Sequence, residues 1–532
     1  MEQVETPVRR MAVKVAVVET TAPAPTHLFG WLPIVWTRVL FPGAAPPTEP
    51  CCWPAVVLLF VMSGLLLYPC MSFHLFEPDE GRYAQIPREM LDAGEWIVPT
   101  LQGEAYLDKP PLFYWLVMLS YTLFGYHDWA ARLVPVLAMH VTVLVTYLLG
   151  RRVVGERPAF WGSLLLTVSP YFLGVGRLLV FDGLLTLWVT LALLAMYLSQ
   201  SLERKRSEVT EIFAYASGSE IMWLLAAAAC GLGVLTKGPV ALLLVLAPFA
   251  LQRLLVRDRV AISWRAWGVF GSVVLAISLP WYVAVCVVRP EFARYFFWQH
   301  NVERFIDPFD HARPLWFYVP IVAFGLLPGV LLAWPIGRFL FSARPDDAAR
   351  RCVGLGYVLL AGIGCVAFFS LAGSKLPTYI LPAFPPLCLA LGCFVTRTGW
   401  DRSRWMIGFV AACWLVLACS HYLVIPAIAW QRSPMNCPDE VHAWCADSSV
   451  PVVCFPRNVD SAAFYLGRAD FRTYRSKEID ELVRALASRP RTIVLFAHRN
   501  SPETLARHLP GRVRITARRK LGLCEMAVVE RK

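Results

Sequence analysis

Charged residues are scarce in this chain of 532 residues. They make up 17% of it, against 57% hydrophobic residues, and the mean hydropathy is +0.52. Soluble domains of ordinary composition carry about 25% charged residues. The hydrophobic excess lies in long uncharged runs typical of membrane spans, so an ordinary soluble domain is excluded.

Three further absences narrow the class of protein. Although the net charge is +12, no basic cluster is interleaved with aromatic residues, so nucleic-acid binding is not expected. No CxxC pair with metal-binding spacing occurs among the 15 cysteines, and no internal repeat is visible.

Four cysteines lie in the polar tail, where an oxidising compartment would favour one disulfide: Cys437, Cys445, Cys454 and Cys524.

Residues 1–50 are rich in proline and alanine and carry a few basic residues. They do not contain the apolar core and cleavage site of a signal peptide. We expect a poorly ordered N-terminal arm, with the apolar residues between Trp31 and Trp36 dipping into the membrane interface.

Apolar stretches fill the region from 51 to 430. A span needs about 20 apolar residues, and about eleven stretches meet this requirement. They are 53–73, 130–150, 158–176, 183–200, 220–236, 238–254, 266–288, 314–337, 352–372, 377–396 and 405–430. The run 111–125 is shorter and is expected to lie along the interface or pair with its neighbour. The sequence therefore predicts a polytopic α-helical membrane domain over 51–430, with about 11–13 transmembrane helices.

Basic connectors orient this domain. They fall on one side of the membrane, together with the N-terminus: 151–157, 204–206, 253–265, 338–351 and 397–404. The positive-inside rule makes that side cytoplasmic. The opposite, periplasmic side collects the first loop (74–110), 177–182, 289–313, the turns around Lys237 and Lys375, and the tail.

The tail, residues 431–532, changes character. Val450–Phe455 and Thr492–Ala497 predict short strands, and Ile479–Ala487 and Glu503–Leu509 predict helices. The alternation indicates a small α/β domain on the periplasmic side. It has no phosphate-binding glycine loop, so no catalytic role is assigned to it.

The first loop is rich in ionisable residues for so apolar a protein. It contains Glu77-Pro78-Asp79-Glu80-Gly81-Arg82-Tyr83 and ends in Tyr106-Leu107-Asp108-Lys109-Pro110-Pro111. Acidic side chains beside a bilayer are costly unless they are paired, ligated or used. Ordinary solvated loop charges are the alternative, and composition alone does not separate the two.

Asp182 lies at the outer end of two long apolar runs, where a lone carboxylate needs a partner. Arg177 is the structural candidate for that partner. The functional alternative places Asp182 beside Asp79, so that two carboxylates share one site and divide acid–base and cation-binding roles.

Lys237 and Lys375 lie on the outer face, opposite to where the positive-inside rule places basic residues. Snorkelling is one explanation. An anionic ligand such as a phosphate explains both positions better. The segment 289–313 adds Arg294, His300 and Arg304 among aromatic residues, which predicts an electropositive mouth.

These motifs resemble those of a known family. Glu77–Ala84 and Tyr106–Leu112 resemble the first periplasmic loop of bacterial lipid A aminoarabinose transferases, and of the wider GT-C group that includes protein O-mannosyltransferases. Further matches are Arg177 with Asp182-Gly183, Thr236–Pro239, His300 with Arg304-Phe305, and Ser374–Pro377 with Tyr379. The resemblance covers roughly residues 50–430. It implies a GT-C type fold and an enzyme that uses a polyprenyl-phosphate sugar donor.

The resemblance also implies roles for individual residues. Asp79 and Asp182 match two acidic residues needed for catalysis, and Asp79 would act on the acceptor or stabilise positive charge at the anomeric carbon. The first-loop neighbours of Asp79 are Glu80, Arg82 and Tyr83. The donor phosphate would be bound and stabilised as it departs by Lys109, Lys237, Arg294, Lys375 and Tyr379. Displacement in line would invert the anomeric centre.

A divalent metal ion, Zn or Mg/Mn, is a further implication of the resemblance. Asp108 stands where the aminoarabinose transferases usually have a glutamate that helps to hold the metal, and His300 matches their loop histidine. The aspartate is shorter by one methylene, which weakens this expectation.

The expected function is transfer of a sugar, an aminoarabinose-like pentose or a hexose, from undecaprenyl phosphate to lipid A or another envelope glycan. The reaction would take place at the periplasmic face of the bacterial inner membrane, among membrane lipids. Protein O-glycosylation by the same architecture is the second hypothesis, and a polytopic transporter or flippase is the third. Transporters place charges near the midplane, whereas these charges lie at the outer ends.

Overall fold

The computed structural model describes residues 51–208, 212–256, 261–307, 310–342, 344, 351–352, 354–497 and 501–532. The N-terminal arm at 1–50, with its predicted interfacial residues, lies outside the described residues.

Helices dominate the chain up to residue 432. In chain order they are α1 Trp53–Leu67, α2 Asp79–Ala93, α3 Leu112–Phe124, α4 Asp128–Val154, α5 Glu156–Thr167, α6 Pro170–Gly176, α7 Phe181–Glu208, α8 Ile212–Lys237, α9 Val240–Leu255, α10 Trp264–Val288, α11 Tyr318–Gly325, α12 Ala333–Phe341, α13 Leu355–Leu371, α14 Phe384–Arg397, α15 Arg404–Cys419 and α16 Ile425–Arg432. A two-stranded hairpin, β1 Thr100–Leu101 and β2 Glu104–Ala105, follows α2.

Shorter helical segments connect several of these elements. A π-helix, Arg294–Glu303, lies between α10 and α11 and is flanked by the short α-helical turns Glu291–Ala293 and Arg304–Ile306. The 3-10 segments of the membrane domain are Leu315–Phe317, Gly329–Leu332, Pro377–Ala383 and Trp400–Arg402. A second π-helical segment, Ser420–Val424, joins α15 to α16.

The predicted spans all appear as apolar helices, which confirms the polytopic α-helical fold class. Six helices of the described chain are long and apolar enough to cross a membrane, or eight if two bent pairs each count as one span. Three predicted spans correspond to shorter helices, α1, α9 and α13, of 15, 16 and 17 residues. At 1.5 Å per residue these reach about 23–26 Å, less than the ~30 Å hydrocarbon core.

Proline lies at the boundary of two of these helices, α1 and α9. A proline nitrogen carries no hydrogen to donate to a helical carbonyl group, so proline is tolerated at the start of a helix but not in its interior. Helix α1 ends at Leu67, two residues before Pro69, and α9 begins directly after Pro239. The run 111–125 forms α3, whose 13 residues are too few to span, as predicted.

The tail forms the expected small α/β domain. Its helices are α17 Pro438–Cys445, α18 Asp460–Leu466, α19 Ile479–Ser488 and α20 Ser501–Ala506. Its strands are β3 Val452–Phe455, β4 Arg472–Thr473, β5 Arg491–Phe496, β6 Val513–Leu521 and β7 Cys524–Arg531. They form a mixed sheet of order β4-β3-β5-β7-β6, in which β3 is parallel to both β4 and β5.

Strand β4 and the β6–β7 hairpin are the parts of this sheet that the sequence pattern does not predict. Strand β6 carries a run of basic residues on its exposed face, and a register shift between Ile515 and Ala517 breaks its alternation. The tail disulfide does not form in the structure, since all 15 cysteines are free thiols.

Helix α18 packs the α/β domain directly against α2 of the first loop. The Ser461 backbone N–H donates to the Glu77 carboxyl group at 2.6 Å, and Arg88 Nη1 donates to the Phe464 carbonyl oxygen at 2.5 Å. A Cβ at Gly81 would lie 2.4 Å from the Ser461 backbone nitrogen. Only glycine permits this approach, so the domain and the first loop form one packed unit.

Replacing Gly81 by alanine is expected to weaken this junction. The added methyl group must displace backbone, which costs roughly 1–3 kcal/mol. Limited proteolysis of the tail and thermal unfolding in detergent measure the effect. Gly364→Ala in α13 is the matched control, because open space surrounds that position. Equal stability of the two variants would contradict the packing described here.

Candidate active site

Four separate stretches of chain meet around a cavity of 410 Å³. They are the end of the first loop, the α8–α9 turn, the π-helical segment and the segment after α13. Its polar lining residues are Asp108, Lys109, Lys237, His300, Asn301, Arg304, Ser374 and Tyr379. Apolar residues of α9 and α13, including Leu243 and Phe369, complete the wall. We call this space the cationic cavity, since one end is basic and the other is apolar.

Lys109 and His300 form the centre of the basic end. Lys109 Nζ lies 2.9 Å from His300 Nε2. Burial and the Lys109 charge lower the pKa of His300 to about 3, so the ring is neutral and accepts this hydrogen bond. Among the described residues, no carboxylate forms an ion pair with Lys109. Its positive charge therefore faces the cavity without a direct counter-ion.

Asp182 and Lys237 form an ion pair at the cavity wall. Lys237 Nζ lies 2.5 Å from Asp182 Oδ1 and 4.3 Å from the centre of the Tyr379 ring. Asp182 lies in the first turn of α7 and Lys237 in the last turn of α8, where helix dipoles favour these charges. Gly238, at φ +90°, then ends α8 and turns the chain into α9.

This pairing corrects the expected partner of Asp182. Arg177 instead donates to three backbone carbonyls, those of Leu66, Pro69 and Cys70. It therefore closes the C-terminal end of α1, whose last carbonyl groups lack helical partners. Sequence proximity favoured Arg177, whereas helix packing brings Lys237 to the carboxylate.

Arg304 is a lining residue that the predicted set of phosphate ligands omits. Its guanidinium forms a two-pronged ion pair with Asp310, with both distances at 3.0 Å, and Nη1 lies 3.4 Å from His300 Nε2. The Ser374 hydroxyl donates to the same carboxylate at 3.2 Å. The signal in the sequence was the electropositive mouth at 289–313, from which Arg304 reaches the cavity together with His300.

Asp108 and His300, the predicted metal ligands, line the same cavity but have other partners. Asp108 Oδ1 accepts a hydrogen bond from the Tyr295 hydroxyl at 2.5 Å, while the His300 ring nitrogen faces Lys109 and Arg304. No group of three metal-ligating side chains occurs within the described ranges. Lys109 and Arg304 both face Nε2 of His300, and two cations at this nitrogen do not fit a divalent ion. The metal stays a prediction, and no step below uses it.

Asp79 lies beside the cationic cavity, in a second cavity of 410 Å³ that we call the Asp79 cavity. Its side chain is 49% exposed and pairs with Arg82 at 3.6 Å. Thr378 lines the Asp79 cavity and Tyr379 lines the cationic cavity, so the two spaces adjoin at these consecutive residues. Asp79 and Asp182 each have their own basic partner, Arg82 and Lys237.

Glu80 has a structural position. Its carboxylate pairs with Arg132 of α4 at 2.7 Å, with the two side chains 2% and 0% exposed, and it accepts the Leu179 N–H at 2.8 Å. Tyr83 packs edge-on against Phe181, with ring centres 4.9 Å apart. These contacts fix α2 against α4 and the start of α7, which holds Asp79 in place.

Arg294 and Lys375 lie outside the cationic cavity. Arg294 is exposed and lines a neighbouring space of 530 Å³ that shares Asp108. Lys375 is buried, and its ammonium group donates to the carbonyls of Arg313 and Ala372. The structure brings together Lys109, Lys237 and Tyr379 of the predicted phosphate ligands, and it gives Lys375 a structural role instead.

Comparison with solved structures defines the class of this fold. The crystal structure of ArnT from Cupriavidus metallidurans bound to undecaprenyl phosphate matches with a TM-score of 0.70 and 19% sequence identity, covering 90% of this chain and 98% of that chain. The family described as dolichyl-phosphate-mannose-protein mannosyltransferase matches residues 51–296. The chain is a multi-pass membrane protein with the GT-C type fold.

Curated proteins of related sequence give a closer comparison than the solved structures do. The undecaprenyl phosphate-alpha-4-amino-4-deoxy-L-arabinose arabinosyl transferase of Edwardsiella ictaluri (strain 93-146) is 34% identical over 385 residues, which are 69% of this chain and 65% of that protein. The corresponding transferase 1 of Pseudomonas fluorescens (strain Pf0-1) is 36% identical over 348 residues, 65% of this chain and 58% of that protein. The chain thus spans somewhat less than two thirds of these relatives. In sequence the chain is similar to these aminoarabinose transferases, and in fold it is similar to the solved ArnT structure, as the resemblance implied.

Proposed function

We propose that this protein is a membrane glycosyltransferase that transfers a sugar from undecaprenyl phosphate to lipid A or another envelope glycan. The observation that carries the proposal is the cationic cavity, where Lys109, Lys237 and Arg304 meet beside an apolar wall. The names of the curated relatives, which are arabinosyl transferases acting with undecaprenyl phosphate, support the same donor class.

The cavity has the chemistry that a lipid-linked phosphate requires. Lys237 and Arg304 are each balanced by a carboxylate, whereas Lys109 donates to a neutral imidazole. Of the cations that the structure describes in this lining, Lys109 is thus the one without a directly paired carboxylate, and a charge-assisted hydrogen bond from its ammonium group to a phosphate is of the strong kind. The apolar residues Leu243 and Phe369 suit the first units of a polyprenyl chain.

The reaction follows from this placement. The bond between the anomeric carbon and the phosphate oxygen breaks, its electron pair stays on the phosphate, and an acceptor oxygen bonds to the carbon from the opposite face. Lys109 and Arg304 stabilise the charge that develops on the departing phosphate. Asp79, in the adjoining cavity, receives the acceptor proton or orients the acceptor. Displacement in line inverts the anomeric centre.

The proposed location is the bacterial inner membrane, with the N-terminus in the cytoplasm and the site and α/β domain in the periplasm. The distribution of basic connectors supports this orientation, because the alternation of the predicted spans puts all five on the side opposite to the site residues. Lipid A or another acceptor would reach the site from the outer leaflet.

An in vitro assay tests the proposal. Full-length protein in nanodiscs is given a panel of undecaprenyl-phosphate sugars, including aminoarabinose and hexoses, with lipid A as acceptor, and products are read by mass spectrometry. Lys109→Met is expected to lower transfer by about 100-fold or more, since losing one preorganised donor has that effect. Lys520→Met, on the exposed face of β6, is the control. Absence of transfer from every donor would contradict the proposal.

The pH dependence of donor use tests Lys109 separately. Burial lowers the pKa of its ammonium group to about 8, although nearby Asp108 opposes the shift. The cation is present below that pH and is lost as the pH rises through it. We expect kcat/KM for the donor to fall about tenfold per pH unit above about 8. Lys109→Arg, which does not deprotonate, should lack this alkaline limb. The same limb in both proteins would contradict the role of Lys109.

A further inference from the structure

A third cavity, of 960 Å³, lies between the first loop and the α/β domain. We call it the junction cavity. The first loop contributes Arg82 and Asp108 to its wall, and the α/β domain contributes Arg457, Arg475 and Lys477. Because α18 packs the domain tightly against α2, the two walls are held in a fixed relation.

The sheet topology explains why three basic residues of the domain meet here. Arg457 follows β3 by two residues, and Arg475 and Lys477 follow β4 within four residues. Strands β3 and β4 are parallel neighbours, so their carboxyl ends lie at one edge of the sheet. Loops at the carboxyl ends of parallel strands commonly form binding sites. This edge of the sheet faces the first loop across the junction cavity.

The charges of this wall are not neutralised within the protein. Arg457, Arg475 and Lys477 are exposed, and within the described part of the chain no ion pair involves them. The two carboxylates on the facing wall are already engaged, since Asp310 pairs with Arg304 and Asp108 accepts from Tyr295. The cavity is therefore electropositive and suits an anionic ligand.

The junction cavity adjoins the candidate active site. Asp108 lines both the junction and the cationic cavity, and Arg82 of the junction cavity lies 3.6 Å from Asp79. Most residues that line the junction cavity are polar, and the α/β domain bounds it on one side.

We propose that the junction cavity binds the anionic saccharide headgroup of the acceptor lipid, and that Arg457, Arg475 and Lys477 contact its phosphate groups. This inference rests on the proposed function and assigns the α/β domain a part in acceptor recognition. A neutral acceptor would gain nothing from three clustered cations, so the ligand class is a phosphorylated glycolipid.

The test compares single and triple alanine variants of Arg457, Arg475 and Lys477 in the full-length protein. The acceptors are bisphosphorylated lipid A and its enzymatically dephosphorylated form in micelles. With the phosphorylated acceptor, the triple variant is expected to raise the acceptor KM at least about tenfold and to flatten its salt dependence, while kcat and donor Kd stay within about twofold. With the dephosphorylated acceptor, parent and triple variant should differ less than about twofold.

Arg472→Ala is the matched control, because Arg472 is an exposed arginine of β4 that does not line the cavity. Equal acceptor KM in parent and triple variant, or the same loss in the Arg472 variant, would overturn the inference and leave the proposed function standing. Binding of phosphorylated lipid A is also measured without donor. If the triple variant binds phosphorylated lipid A more weakly than the parent, but the parent transfers no sugar, the result would support the binding role of the junction cavity and refute the proposed reaction. Transfer to a protein acceptor, without binding of phosphorylated lipid A, would overturn the inference.

Discussion

Asp79→Asn should reduce sugar transfer by at least about 100-fold while leaving the protein folded. The amide neither accepts a proton nor stabilises positive charge at the anomeric carbon, and positioned acid–base groups contribute about 10²–10⁴-fold. The fold should tolerate the change because the side chain is 49% exposed and its ion-pair partner is Arg82, at 3.6 Å. Exposed pairs of this kind contribute little to stability.

The measurement is single-turnover transfer with saturating donor, together with donor affinity and the unfolding temperature. Donor affinity should be unchanged, since the proposed site of the donor phosphate is the cationic cavity, which Asp79 does not line. Asp92→Asn is the matched control, because Asp92 lies on the same helix and pairs with Arg88 at the same 3.6 Å. Parent-like turnover of the Asp79 variant would show that the acceptor needs no carboxylate at this position.

Arg132→Met is expected to produce the largest loss of stability, about 3–5 kcal/mol. Removing one partner of a buried ion pair leaves the other charge uncompensated. Glu80 is 2% exposed and receives two hydrogen bonds from Arg132, at 2.8 and 2.7 Å. Arg132 also donates to the carbonyls of Met71 and Phe73, so the substitution loosens the chain before α2.

Denaturant unfolding in detergent micelles measures this loss. Arg289→Met is the control, since Arg289 and Glu291 form an exposed pair at 4.0 Å and its loss should cost at most about 1 kcal/mol. The double variant Glu80→Gln/Arg132→Met should recover part of the stability, because no uncompensated charge remains. A loss as small as that of the control would show that the buried pair is not coupled to folding.

Local patterns predicted much of the site. Lys237 was predicted as a cation on the face that the positive-inside rule leaves poor in charge, and the family resemblance added Lys109 and Tyr379, which line the same cavity. Lys375 shows where this reasoning fails. It is also a cation on the predicted outer face, yet its ammonium group donates to the backbone carbonyls of Arg313 and Ala372.

The α/β domain shows a different limit. Its alternating strands and helices were visible in the tail, since period and composition are local properties. Its position against the first loop was not, because the contact between Glu77 and Ser461 joins residues 384 positions apart. Burial of that contact raises the pKa of Glu77 to about 8, an effect that neither residue type reveals by itself.

The sequence by itself determined that this is a polytopic helical membrane protein and where its apolar helices lie along the chain. These properties follow from hydrophobic length, which each segment carries alone. Only the tertiary structure decided which charges pair. Lys237 reaches Asp182 across 55 positions and Arg132 reaches Glu80 across 52. Any carboxylate can form an ion pair with any cationic side chain. Which two residues pair therefore depends on helix packing, and helix packing depends on the whole chain.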